Sequence, residues 1–180
     1  FLRKQFSLGR TSVFVCENRS IIGLISIADV PRDGVARSIS NLRSEGIKRV
    51  VMLTGDKASP ALSVAEQAGI SDVESDLLPE QKVDYVKRLR GEGHRVMMVG
   101  DGINDAPALA SAHVGVAMGK IGADVAIETA DIVLMSDDLS KVSKIIMLGK
   151  KTLNMIKQNI ALAMVVNILG ILLAVRGDIS

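Results

Sequence analysis

A chain of 180 residues with 48% hydrophobic content is long enough for one sizeable core and a little more. Its 22 basic and 20 acidic residues nearly cancel, leaving a formal net charge of +2, and only 2% of residues are aromatic. That balance supplies neither the field nor the stacking platforms that nucleic acid requires, so no nucleic-acid partner is expected.

The chain begins at Phe1 rather than methionine and opens with no secretory signal, which reads as an internal piece of a longer protein exposed to a reducing, cytosolic face. Cys16 is the single cysteine; it has no histidine near it and suits core packing. Thr11–Val15 and Ser20–Ile27, rich in Val, Ile and Ser, predict two strands joined by a tight turn at Glu17-Asn18-Arg19. At Asp29-Val30-Pro31-Arg32-Asp33-Gly34 the proline and glycine stop the strand, predicting a hinge with Asp33 placed to cap the next helix. Val35, Ile39 and Leu42 then recur at helical spacing and Gly46 ends the pattern. Beyond it, strands and helices alternate. Strands are expected at Lys48–Leu53, near Asp72–Glu74, and at Val96–Val99, Val114–Met118 and Ile132–Leu134, with helices through Ala61–Ala68, Glu80–Arg90 and around Asp124–Thr129. Alternation of this kind predicts an α/β fold, a doubly wound parallel sheet.

Three polar stretches stand out against that background. The strand ending at Leu53 runs directly into Thr54-Gly55-Asp56. In Leu77-Leu78-Pro79-Glu80-Gln81-Lys82, Pro79 marks a helix start and Lys82 stands in the first turn, a cation able to approach a phosphoryl group. The third stretch, Gly100-Asp101-Gly102-Ile103-Asn104-Asp105-Ala106-Pro107, sets two carboxylates and an amide on a strand-to-helix turn. Clustered carboxylate oxygens suit a hard cation such as magnesium, which takes few protein ligands and bridges to phosphate, although a plain Gly- and Asp-rich turn has the same composition. Ligands of open parallel sheets bind beyond the carboxyl ends of the strands, so two polar turns at two such ends can share one crevice. His94 and His113 are isolated loop histidines and receive no role.

After Asp137-Asp138 the composition shifts. Leu139 to Asn159 carries Lys141, Lys144, Lys150, Lys151 and Lys157 with no acidic residue, which reads as a basic helix nearing a membrane surface. Ile160–Val175 then holds no charge, and Asn167 is its strongly polar side chain. At ~1.5 Å per residue the run reaches about 24 Å, short of a ~30 Å hydrocarbon core, so by length alone a buried helix is equally open. The lysines before it favour a span with its N-terminal side in the cytoplasm.

Thr54-Gly55-Asp56, Lys82 and the octapeptide Gly100 to Pro107, in this order and at this spacing, resemble the phosphorylation domain of P-type cation-pumping ATPases, members of the haloacid dehalogenase superfamily. Met118-Gly119 and Asp124-Val125-Ala126-Ile127-Glu128-Thr129-Ala130-Asp131-Ile132-Val133-Leu134-Met135 are similar to the heavy-metal-transporting branch. The resemblance implies a layout: residues 1–28 end a nucleotide-binding domain and form a hinge strand, 29–138 form the phosphorylation domain, 139–159 a basic connecting helix, and 160–176 a transmembrane helix. It further implies an ATP-hydrolysing translocase in the cell membrane, using ATP and Mg2+ and moving zinc, cadmium, cobalt or copper. In such a pump the terminal phosphoryl of ATP passes to an aspartate, and catalysis is mostly positioning and charge stabilisation.

Roles follow from that resemblance. Asp101 is the expected magnesium ligand, and Asp105 is either a second direct ligand or a carboxylate orienting coordinated water. Asn104 gives its amide to phosphate or to the loop. Thr54, with the Gly55 N–H, holds the transferring phosphoryl oxygens while Lys82 neutralises them, and Asp56 orients the turn or contacts nucleotide. One departure stands against the matches: the family's nucleophile motif, Asp-Lys-Thr-Gly-Thr, does not occur in residues 1–180. Its absence is expected of a C-terminal piece that turns over no ATP by itself. Two alternatives remain, a soluble-type haloacid dehalogenase phosphatase and a non-catalytic, membrane-anchored magnesium-binding module.

Overall fold

The computed structural model describes residues 11–101, 104–119 and 128–176. The short helix expected around Asp124–Thr129 falls largely outside them, as do Gly102 and Ile103 of the octapeptide and the first ten residues. The chain divides into two units, Phe1–Lys141 and Val142–Ser180.

The first unit opens with an antiparallel hairpin, β1 (Thr11–Glu17) and β2 (Ser20–Ile27), in which Val13 faces Ile25 and Phe14 faces Leu24. Asn18 and Arg19, at φ 47° and 66°, make the two-residue turn, whose paired left-handed residues match the natural twist of the strands. Both faces of the hairpin stay apolar and open, with Val13, Phe14, Ile21, Ile22, Ile25 and Ile27 exposed. Cys16 is exposed on the same hairpin, so the core position expected for it is not where it lies.

Helix α1 (Val35–Ser44) buries Ile39 and Leu42, the stripe its spacing predicted. Its N-cap is Gly34 at φ 82°, a left-handed conformation, and not Asp33; no side chain caps the helix. Four strands and three helices then alternate: β3 (Val51–Leu53), α2 (Ala58–Ala68), β4 (Asp72–Glu74), α3 (Pro79–Gly91), β5 (Met97–Gly100), α4 (Ala106–Ser111) and β6 (Val114–Met118). β7 (Ile132–Leu134) comes after. Every pairing among β3 to β7 is parallel, as helical crossovers require.

The parallel strands form two ladders, β3-β4 and β5-β6-β7, rather than one continuous sheet. β6, paired on both sides, is the strand whose middle residues, Gly115, Val116 and Ala117, are buried. β3 and β5 lie at ladder edges and are only half-buried, although Val96–Val99 reads in the sequence as a strand covered on both faces. Leu109 and Ala117 form the centre of a small core with Met98, Ala130 and Val133 against it. α2 presents Ala61, Ala65 and Ala68, whose small side chains bring its backbone close to its neighbours. The C-terminal helix α5 (Ser140–Arg176) takes in both the basic stretch and the apolar run without a break. It is the one described helix long and apolar enough to cross a membrane.

Candidate functional site

The turn after β3 is built by Thr54. Its hydroxyl donates to Asp56 Oδ2 at 2.7 Å and accepts the Asp56 N–H at 3.1 Å, closing a small ring that holds Asp56 over Gly55. The turn is clamped to the chain after β4: the Thr54 N–H donates to the Glu74 carbonyl at 2.9 Å, Leu77 N–H to the Thr54 carbonyl at 3.0 Å, and Asp76 N–H to the Asp56 carbonyl at 2.8 Å. A Cβ on Gly55 would stand 3.3 Å from the Leu77 carbonyl oxygen, so this close approach suits glycine. Asp76 holds its place at a left-handed φ of 55°. Its carboxylate binds the Lys57 ammonium, a hydrogen bond that raises the Lys57 pKa above its ordinary value. Asp76 and Lys57 escape a reading of the sequence, because nothing in Glu74-Ser75-Asp76 marks a residue that must adopt positive φ.

Two residues after Leu77, α3 begins with Pro79 in its first turn, and the Gln81 side chain accepts the Leu78 N–H at 2.8 Å. The helix start aims Lys82 at the acidic turn. Its ammonium donates to Asp105 Oδ1 at 2.8 Å, with side chains only 16% and 15% exposed. With both side chains sheltered, removing either partner would leave the other charge poorly solvated and is destabilising, whatever the net worth of the pair itself. Thr54 and Lys82, separate candidates in the sequence, are therefore joined through Leu77, and Lys82 reaches across to the carboxylates.

The acidic turn starts where β5 ends. Gly100 pairs with Ala117 as a strand residue, and its lack of a side chain is used for space: a Cβ there would lie 2.7 Å from Asp105 Oδ2 and 2.8 Å from Asp105 Cβ. Asp105 folds back over Gly100 and is the N-cap residue of α4. Asp101 is exposed, and its Oδ1 accepts the Asn104 N–H at 3.4 Å. What the structure fixes for Asn104 is thus its backbone. His113 stays structural, its Nδ1 accepting the Val96 N–H at 3.2 Å.

The donor set suits magnesium. Hard carboxylate oxygens at Asp101 and Asp105, with no sulfur or imidazole among them, match a cation that uses one or two carboxylates and completes its shell with water and phosphate. Among the described residues no cluster of three or more metal-ligating side chains occurs, so Asp101 and Asp105 offer two carboxylates of such a shell. Asp105 is engaged by Lys82, and Asp101 lies exposed at the end of β5.

Parallel strands with helical crossovers, a threonine turn and an acidic turn at two strand ends, and a lysine paired to the acidic turn define an α/β domain with polar turns at its strand ends. The chain belongs to the haloacid dehalogenase-like hydrolase family, whose model matches residues 2–113, with a second such model over residues 83–146. It is 46% identical to a cadmium-transporting ATPase of Staphylococcus aureus across 94% of its own length and 23% of that protein. It is 42% identical to a zinc-exporting P-type ATPase of Mycobacterium marinum across 99% of its length and 24% of the relative. Among solved structures it is similar to a zinc-transporting PIB-type ATPase in the E2.Pi state, with a TM-score of 0.88, 37% identity, and coverage of 99% of this chain and 29% of that one. The chain spans about a quarter of the length of the curated relatives it matches.

Proposed function

We propose that this chain is the phosphoryl-accepting machinery, minus its nucleophile, of an ATP-driven heavy-metal cation pump of the P-type. The observation that carries the reading is the bridge from one strand end to the other: Thr54 to Leu77, then Lys82 to Asp105 at 2.8 Å. It links the turn after β3 to the turn after β5, which between them carry a hydroxyl, backbone N–H groups, a cation and two carboxylates. In that arrangement Thr54 and the Gly55 N–H hold the oxygens of a transferring phosphoryl group, and Lys82 neutralises their charge. Asp101 binds magnesium, with Asp105 orienting Lys82 and coordinated water. Bound magnesium supplies charge neutralisation at the phosphate oxygens.

The nucleophile belongs to a strand outside residues 1–180. β3 and β5 each lie at a ladder edge, each is half-buried, and each ends in a site turn. A further parallel strand seated between them would join the two ladders into one sheet and aim its own carboxyl end at the same place. The open apolar faces of the β1-β2 hairpin fit the end of a nucleotide-binding domain. α5 supplies a membrane span whose lysine-rich end faces the cytoplasm.

The transported ion is a heavy-metal divalent cation. The relatives' names include cadmium, zinc and manganese, which widens the zinc, cadmium, cobalt and copper expected from the motifs. The test is the full-length protein in vesicles, given labelled ATP and each cation in turn. The expected result is an acid-stable phosphoenzyme whose turnover rises with one or two of these ions. Absence of any phosphoenzyme with every ion would overturn the reading.

A further inference from the structure

α5 carries a charge distribution that a membrane span alone does not need. Lys141, Lys144, Lys150, Lys151 and Lys157 are all cationic, Arg176 closes the helix, and no acidic residue occurs between Ser140 and Arg176. About twenty residues are needed to cross a hydrocarbon core of ~30 Å at ~1.5 Å each, and the uncharged run Ile160–Val175 is about 6 Å too short. Leu153, Met155 and Ile156 are apolar and exposed just before it. Counting back from Val175 puts the hydrocarbon boundary near Ile156, with Lys157 just inside, where a lysine stem is long enough to return its ammonium to the interface.

That boundary sorts the lysines by depth. Lys151 and Lys150 stand roughly 7–9 Å outside it, at the level of the headgroups and their phosphates. Lys144 and Lys141 stand roughly 18–23 Å outside, more than a Debye length of ~8–10 Å beyond the phosphates. Lys150 and Lys157 are seven residues apart and share a face of the helix, while Lys151 points about 100° further round.

We propose that Lys150, Lys151 and Lys157 form a binding belt for anionic phospholipid headgroups, in which Lys141 and Lys144 take no part. An ammonium on a flexible stem recognises a phosphate as a point charge, so the belt selects for headgroup charge rather than headgroup shape. Each lysine at the surface is worth about a fivefold gain in lipid preference at ordinary salt. The inference rests on α5 crossing a membrane, and two measurements keep the failures apart.

The experiment uses residues 1–180 reconstituted into phosphatidylcholine vesicles and into mixed phosphatidylcholine and phosphatidylglycerol vesicles. Flotation at alkaline pH from the neutral vesicles reads insertion alone; a chain stripped from them overturns the membrane reading. Spin-labelled lipids then report which headgroup is immobilised at the protein. Phosphatidylglycerol should be preferred at least tenfold, and the K150Q/K151Q and K157Q variants should each lose most of that preference. K141Q/K144Q removes the same charge as K150Q/K151Q and should keep the preference within about twofold, as its distance dictates. An inserted chain with no phosphatidylglycerol preference, or an equal loss in K141Q/K144Q, overturns the belt.

Discussion

Asp105 shows how much of a site rests on what a residue lacks. Its carboxylate lies over Gly100 and reaches Lys82 only because no Cβ stands in the way, 2.7 Å from Oδ2. Gly100→Ala should therefore push Asp105 off its partner and lower stability by about 1–3 kcal/mol, since the crowded atoms include Asp105 Cβ and not just the carboxylate tip. Urea titration of residues 1–180 in detergent checks it, and an unchanged midpoint would mean that the turn relaxes at no cost. Asp101 is a cleaner probe because it is exposed. Asp101→Asn keeps size and removes one charge, so in the full-length protein it should abolish most phosphoenzyme at ordinary magnesium while leaving thermal unfolding unshifted; normal labelling would remove Asp101 from the metal. The candidates themselves were legible in the sequence: Thr54, Lys82, Asn104, Asp101 and Asp105 announce themselves by type and spacing. Their partnerships were not. Thr54 holding Asp56, or Lys82 choosing Asp105, depends on rotamers and on the positive φ of Asp76, which no local pattern encodes.

At the level of elements, period and punctuation carried most of the information. Asn18-Arg19 gave the hairpin turn, Pro79 the start of α3, and the Val35, Ile39, Leu42 spacing the buried face of α1. Asp33 did not cap α1: Gly34 holds the N-cap position, in a left-handed conformation that glycine adopts without strain. The reading of β5 as fully covered failed for a different reason. Hydropathy reports what a strand can bury, whereas the second neighbour that buries it lies outside its own sequence. For α5 the lysine asymmetry supports an orientation, and it can be checked in cells. With exposed Cys16 replaced by serine, single cysteines at Ser140 and at Ser180 should differ in labelling by an impermeant reagent added from outside, with only Ser180→Cys reacting. Equal labelling from one face would place the helix on the surface or inside protein. A second element-level link is Arg32, whose guanidinium meets the Asp137 carboxylate at 3.1 Å and its carbonyl at 3.2 Å, pinning the hinge before α1 to the segment before α5. At 66% and 37% exposure this pair adds well under ~1 kcal/mol, so its effect is on position rather than stability.

For the whole molecule, the two ladders decide what residues 1–180 can do alone. β3 and β5 are apolar edge strands with half-covered faces, and edges of that kind invite pairing with another chain. On the proposed reading, residues 1–180 keep Thr54, Lys82, Asp101 and Asp105 but lack the nucleophile's carboxylate, and a magnesium site built on Asp101 and Asp105 alone would fall short of a full octahedral shell. The isolated chain in detergent is therefore expected to bind magnesium weakly, to release no phosphate from ATP or small phosphate esters, and to unfold at low urea. Adding a nucleophile-bearing segment in trans should restore little. A strand destined for the middle of a parallel sheet has to displace whatever has closed over its place, and association adds several kcal/mol of lost translational and rotational freedom. Supplying the same strand in cis, through a linker long enough to reach both ladder edges, removes most of that cost by raising its effective concentration. Phosphate release by residues 1–180 alone that vanishes in Asp101→Ala would reveal a nucleophile within the chain and sink the account. Release restored only in cis, with a rise in the urea midpoint, is the outcome that two ladders awaiting one strand require.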